Sequence, residues 1–109
     1  TATVRETLSV GGPVTFANDV VIQGSTIINN TTIVATEDPI ITLAAFPSQT
    51  FDDGNDRGIE FKYFKRGEER LGFMGFNNDT EEFTFFTDAI NNNEVHTGIR
   101  GDLDINKLI

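Results

Sequence analysis

Gly58-Ile59-Glu60-Phe61-Lys62-Tyr63-Phe64-Lys65-Arg66-Gly67-Glu68-Glu69-Arg70-Leu71-Gly72-Phe73-Met74-Gly75-Phe76 is the stretch that decides how this chain folds. Its first half sets Ile59, Phe61 and Tyr63 against Glu60, Lys62 and Phe64, the period of two expected of a strand. Arg66-Gly67-Glu68-Glu69 reads as a turn. Arg70–Phe76 then carries Leu71, Phe73 and Met74, with Gly72 and Gly75 permitting close approach or a bulge. Asn77-Asn78-Asp79-Thr80 makes a second turn, and Glu81–Thr87 presents Phe83 and Phe85 on one face. The pattern predicts a three-stranded antiparallel meander with a Phe-rich side that forms its core. Residues 88–98 read as a turn-rich connection ending in a short strand around Val95.

Upstream the vocabulary changes. From Thr1 to Leu43 the residues are mainly Thr, Val, Ile, Asn and Gly, and nothing repeats with helical period. Apolar residues come as Leu8/Val10, Val14/Phe16, Val20/Ile22, Ile27/Ile28, Ile33, and Ile40 or Ile41 with Leu43, stepping by roughly six or seven residues. Gly11-Gly12-Pro13, Asn18-Asp19, Gln23-Gly24-Ser25, Asn29-Asn30 and Glu37-Asp38-Pro39 fall between them as turns. Strands this short do not make a free-standing sheet. At this spacing they suit a β-solenoid or intertwined β-prism, in which each strand stacks on the next. A small antiparallel sandwich is the alternative. The expected class is therefore all-β: a fibrous short-strand stem over 1–44, then a compact antiparallel domain over 45–98 that opens with a loop at 45–58.

Composition agrees with two differently built segments. Residues 1–51 contain five charged residues, with Arg5 the sole base, and residues 52–109 contain the other twenty. Eight of the eleven aromatics also follow residue 51. A domain of 109 residues would bury roughly two thirds of its unfolded surface. An apolar content of 38% is thin for that, so some segments need a partner. The stem residues Leu8, Val10, Val14, Phe16, Val20, Ile22, Ile28 and Ile33 are the expected subunit interface, most simply in a homotrimer.

Charge and residue supply exclude several functions. A net charge of −9 argues against nonspecific binding to nucleic acid or anionic membrane. No apolar run approaches the ~20 residues of a membrane helix. Without Cys there is no disulfide framework, thiolate metal site or cysteine nucleophile. Asp52, Asp53, Asn55 and Asp56 place calcium-type ligands in one loop, but EF-hand spacing and its closing Glu are absent, and a solvated turn fits better. His96 has no second His or Cys for a transition metal and reads as surface or packing. Glu68-Glu69 and Glu81-Glu82 could be imagined as glycosidase carboxylates, yet they sit in predicted turns beside Arg66 and Arg70 as a charged rim. No nucleophile elbow, P-loop or dinucleotide fingerprint occurs, so no enzyme, cofactor or catalytic residue is expected. Arg100-Gly101-Asp102 spells a cell-adhesion tripeptide that chance explains, and Asn29, Asn30 and Asn78 lie in glycosylation sequons that composition explains.

The chain ends much as it begins. Val4-Arg5, Leu8, Val10 and Val14 match Ile99-Arg100, Leu103, Ile105 and Ile109 at a constant offset of 95. Residues 99–109 are thus expected to start a following stem repeat, in a tandem array or in a subunit whose tail continues into another stem. A start at Thr1 without Met suggests processing or a piece of something longer.

Asp56-Arg57-Gly58-Ile59-Glu60-Phe61, Leu71-Gly72-Phe73-Met74-Gly75-Phe76-Asn77, Glu82-Phe83-Thr84-Phe85 and the closing Thr97-Gly98-Ile99-Arg100-Gly101-Asp102-Leu103-Asp104 carry a resemblance. The chain resembles a module of virion structural proteins in tailed bacteriophages, especially marine myovirus-type phages, and in some large algal viruses. The usual form is a D-R-G-I-x-F strand, a G-F-F-G-x-D-D turn, a K-F-T-F-I strand and an S-G-x-x-G-x-L-D close. Here Asn77-Asn78-Asp79 replaces the usual Trp/Tyr-Asp-Asp, and Phe86 follows the Phe-Thr-Phe. The upstream Leu8–Gly12 and Gly24–Leu43 segments are similar to the stems that precede the module in phage fibres. The resemblance implies a non-enzymatic building block of a viral fibre or tail appendage, located in the virion and partnered by itself and other virion proteins. It supplies no catalytic residues. A receptor-binding module for host surface glycan, using Phe46 and Phe51 of the long loop, and a capsid or tail decoration protein are the alternatives.

Overall fold

Strands form where the sequence alternates and where tight turns can reverse it. The structure, a computed structural model, describes residues 1–37, 39–45 and 49–109. Asp38 of the expected Glu37-Asp38-Pro39 turn and Phe46 of the long loop lie outside the described residues. The chain divides into two units, Thr1–Thr36 and Glu37–Ile109.

The second unit holds one antiparallel sheet in the order β1 (Arg57–Lys65), β2 (Glu68–Asn77), β3 (Glu82–Asn92) and β4 (Val95–Arg100). No described residue is helical. The β1–β2 hairpin pairs Lys65 with Glu68 across a two-residue loop, Arg66-Gly67. Both loop residues take positive φ, 52° and 80°, the twist that suits a two-residue hairpin. The β3–β4 hairpin repeats the device with Asn93 and Glu94 at 54° and 69°, closed by Asn92 opposite Val95. Between them, the Asn77 side chain accepts the amides of Asp79 and Thr80, which shapes a four-residue loop.

The short strand expected around Val95 is present as β4, and most of the turn-rich connection expected before it is sheet. β3 runs on to Asn92, and β4 pairs back along it from Val95 to Arg100. A register shift between Phe86 and Asp88 bulges β3, and bulges sharpen strand curvature. Ile99 and Arg100 belong to β4, and the Gly101 amide continues the pairing to the Phe85 carbonyl at 2.8 Å.

In a flat sheet β1 and β4 would stand about 14 Å apart, three strand spacings. Yet the Asp56 amide, just before β1, donates to the Glu94 carbonyl, just before β4, at 2.9 Å. The sheet is curled until the starts of its outer strands meet. Its concave face holds the core: Phe73, Phe86 and Ala89 are buried, with Leu71 packed against them. Gly58 and Gly75 pair across β1 and β2, and a Cβ on either would run into the Phe73 ring and neighbouring backbone. Their lack of side chains lets Phe73 lie against the sheet, at 2% exposure the most buried large side chain described.

The Phe-rich side is thus split. Phe83 and Phe85 share a face as expected, but it is the convex one, where they are 82% and 38% exposed. The alternation of β3 placed them correctly relative to each other; the sheet's curl put the core on the other side, under Phe86.

The first unit, Thr1–Thr36, contains bends but no strand pairing among the described residues. The bends fall at Arg5-Glu6, Gly11-Gly12, Ala17-Asn18, Gly24-Ser25 and Thr32. Three of these coincide with turns expected from Gly and Asn. Asn29 adds a local turn by accepting the Thr31 amide at 2.9 Å. The eight expected interface residues are all exposed, from 52% at Val10 and Val20 to 78% at Ile28 and Ile33.

Candidate functional site

The chemistry-bearing residues gather where the curled sheet closes. Asp56 sits in the bend before β1, Glu60 points from β1 to the concave face, Asn91 lies near the end of β3, and His96 is the second residue of β4. Asp56 is the hub. Its Oδ1 accepts the Asn78 amide at 2.9 Å, and its Oδ2 accepts the His96 amide at 2.7 Å and faces His96 Nδ1 at 3.2 Å. One carboxylate therefore ties β1 to the β2–β3 loop and to β4. His96 Nε2 lies 2.6 Å from Glu60 Oε2, which also accepts the Asn91 amide group at 2.6 Å. The imidazole stacks on Phe73 at 3.8 Å between centroids and 13° between planes.

The imidazole thus lies between two carboxylates, one at each ring nitrogen. Asp56 and His96 are buried, while Glu60 is 38% exposed, so the cluster is closed at Asp56 and open to water at Glu60. Burial opposes the charge on Asp56, but the hydrogen bonds from the Asn78 and His96 amides and the His96 ring outweigh it and hold the carboxyl below its usual value. Hydrogen bonds from His96 and Asn91 lower Glu60 in the same direction.

A cavity of about 410 Å³ opens beside this cluster, with Leu43, Ala44, Arg57 and Glu94 along its wall. Among the described residues, its lining includes no Ser, Thr, Cys or Tyr. The His96 ring and the two carboxylates hold one another, and with them β1, β3 and β4, in place. Every buried side-chain nitrogen and oxygen among the described residues has a hydrogen-bond partner. The cluster clamps the sheet.

The calcium-type loop is used in the same way. Asp52 Oδ1 accepts the Gly54 amide and the Asn78 side-chain amide, both at 2.9 Å. Asp53 caps Asn55 and holds Arg57 through both carboxylate oxygens, at 2.9 and 3.2 Å. These bonds lower both carboxyls, through Gly54 and Asn78 for Asp52 and chiefly through Arg57 for Asp53. Asn55 offers its carbonyl to Arg57 at 2.8 Å. Asp52 and Asp56 share Asn78, Asp53 and the Asn55 carbonyl share Arg57, and no three acidic or His side chains among the described residues converge on a metal position.

The other sequence candidates are dispersed. Glu68 pairs with Arg70 at 2.6 Å, Glu69 with Lys62 at 3.8 Å and Glu82 with Arg100 at 3.5 Å. Glu68, Glu69 and Glu82 lie on strands rather than in turns, because the first hairpin closes in two residues and the second ends at Glu81. Arg100-Gly101-Asp102 leaves the end of β4 with Gly101 bonded to Phe85, so it is not a loop tip. Phe51 of the long loop is 77% exposed. The Asn78 side chain of the third sequon is engaged by Asp52.

Sequence reasoning missed the roles of Asp56 and His96. A signal was present: Asp56 directly precedes the strand-opening Arg57-Gly58, where a carboxylate can collect backbone amides from neighbouring turns. Comparison with protein families, curated proteins and solved structures finds no match to this chain.

Proposed function

We propose that this chain is a non-enzymatic structural repeat unit of a viral fibre or tail appendage. Residues 1–44 would build a short-strand β-solenoid or β-prism stem with neighbouring chains, as a homotrimer or longer filament in the virion. The carrying observation is the exposure of the eight stem residues from Leu8 to Ile33, each more than half open to water. Burying one such side chain is worth roughly 1.5–3 kcal/mol, so eight in each of several chains supply an ample assembly force. Bends recurring along Thr1–Thr36 support the same reading, because they set short extended runs at near-regular intervals. The sheet contributes a pre-folded knob that sets register between stems. The resemblance to phage fibre modules supports the location. Net charge of −9 keeps long assemblies soluble and apart.

Light scattering tests this reading. Wild type should have the mass of three chains of 12.0 kDa, or a multiple. Val20→Asp should remove stem assembly, seen as lost amide protection across Thr1–Thr36 while the sheet keeps its own. A stable folded wild-type monomer at micromolar concentration overturns the trimer.

A further inference from the structure

We infer that the convex face of the sheet is a second self-association surface, which seats against the same face of another copy of this chain. It rests on residues separate from the stem and does not depend on the stem reading.

The face is continuous across three strands. Register places Ile59, Met74 and Phe85 in one row, since Ile59 opposes Met74 and Met74 opposes Phe85. The next row toward the β2–β3 loop holds Phe76 and Phe83, whose rings meet edge to face at 5.6 Å. On the other side Phe61 covers Gly72, where its ring occupies the space of a Cβ. Ile59, Phe61, Met74, Phe83 and Phe85 are 52, 51, 43, 82 and 38% exposed. A bare large side chain presents roughly 200 Å², so these five leave about 500 Å² of apolar surface. A standard interface takes ~800 Å² from each partner, about 65% of it apolar between identical chains, which again is about 500 Å².

Polar chemistry favours a copy over other occupants. On a chain of net charge −9, the rows of Ile59 and Phe83 contain no charged side chain on β2 or β3. Charges at the two ends are already paired, Arg57 with Asp53 at 2.9 Å and Arg70 with Asp88 and Glu68 at 2.8 and 2.6 Å. Docking at this patch meets no charge in its central row of Ile59, Met74 and Phe85, and Asp102 lines the hollow beside Phe61, Met74 and Phe85. A sugar would need hydroxyl partners beside the rings. The Tyr63 hydroxyl is already given to the Thr87 carbonyl, and the central row offers no polar side chain. An apolar central row of equal size is what a second copy supplies.

The chain has no Cys, so one introduced thiol reports the contact without background. In the full chain, Met74→Cys should form a disulfide-linked dimer about tenfold or more faster than Thr80→Cys in the β2–β3 loop, as thiols held at millimolar effective concentration do. In a Val20→Asp background the mass should stay above 12.0 kDa and fall to monomer when Met74→Glu is added. Mixing Met74→Glu with Met74→Lys copies should restore association, with circular dichroism checking that each variant is folded. If the stem reading fails and this one holds, Val20→Asp matches wild type while Met74→Glu still lowers the mass. Equal cross-linking of Met74→Cys and Thr80→Cys overturns the inference. So does a Met74→Cys thiol shielded from alkylation in a monomer, which would mean that the chain covers its own face, or Phe-ring shifts on adding glycan to a monomer.

Discussion

Asp56 shows how much one side chain can organise when every lone pair has a partner. Its carboxylate takes two backbone amides and faces an imidazole, and its own amide reaches Glu94. Removing it would leave the amides of Asn78 and His96 unsatisfied and strand His96 beside Glu60. Asp56→Ala is expected to cost about 3 kcal/mol, because breaking a buried charged pair exposes its full desolvation penalty. Asp56→Asn, which keeps one acceptor oxygen, should cost clearly less; urea midpoints of the three chains check the order. By contrast Lys62 and Glu69, 3.8 Å apart and 76% and 68% exposed, contribute at most ~1 kcal/mol. The acidic loop was visible in the sequence as a collection of ligands, but its purpose was not. Residue type records that Asp56 can bind a cation or an amide, and only the curl that brings β4 within reach selects between them.

At the level of elements, the first three strands could be read from alternation and from Arg66-Gly67, whose small, flexible second residue fits a positive φ. β4 could not. Asn91-Asn92-Asn93-Glu94 has the vocabulary of a loop, since Asn is depleted in strands. In the sheet only Asn93 and Glu94 turn, while Asn91 earns its strand position by bonding Glu60 and capping the Glu94 amide. The Gly58–Gly75 pair was legible as close approach, and its reason is Phe73. Gly75→Ala would press a methyl against the Arg57 carbonyl, the Gly58 Cα and the Phe73 ring, two of which are backbone and cannot yield. It should destabilise the sheet by about 1–3 kcal/mol, the usual penalty for overpacking, read from the shift in melting midpoint. The first unit stands at the opposite pole: three of its bends could be read from Gly and Asn, and no strand pairing joins them among the described residues.

For the whole molecule, four carboxyls with lowered pKa sit around the closure of one sheet: Asp52, Asp53, Asp56 and Glu60. A carboxyl held below its unfolded value stabilises the folded state fully above that value, about 4 for Asp and Glu, and loses this contribution as pH falls through the folded value. Stability should therefore be level from pH 7 to 5 and drop steeply below pH ~4, and urea unfolding at pH 7, 5 and 3 measures it. Asp56→Asn should flatten part of that drop. The clamp also has a bearing on time. Three successive hairpins with short loops let neighbouring strands zip from local contacts, and such topologies fold quickly. The bond from Asp56 to His96 spans forty residues and can form only once all four strands have curled. The clamp thus closes last, so the stability that Asp56→Ala loses should appear as faster unfolding with the folding rate nearly unchanged. Under a pulling force, the last-made bonds would govern how long the sheet resists being opened.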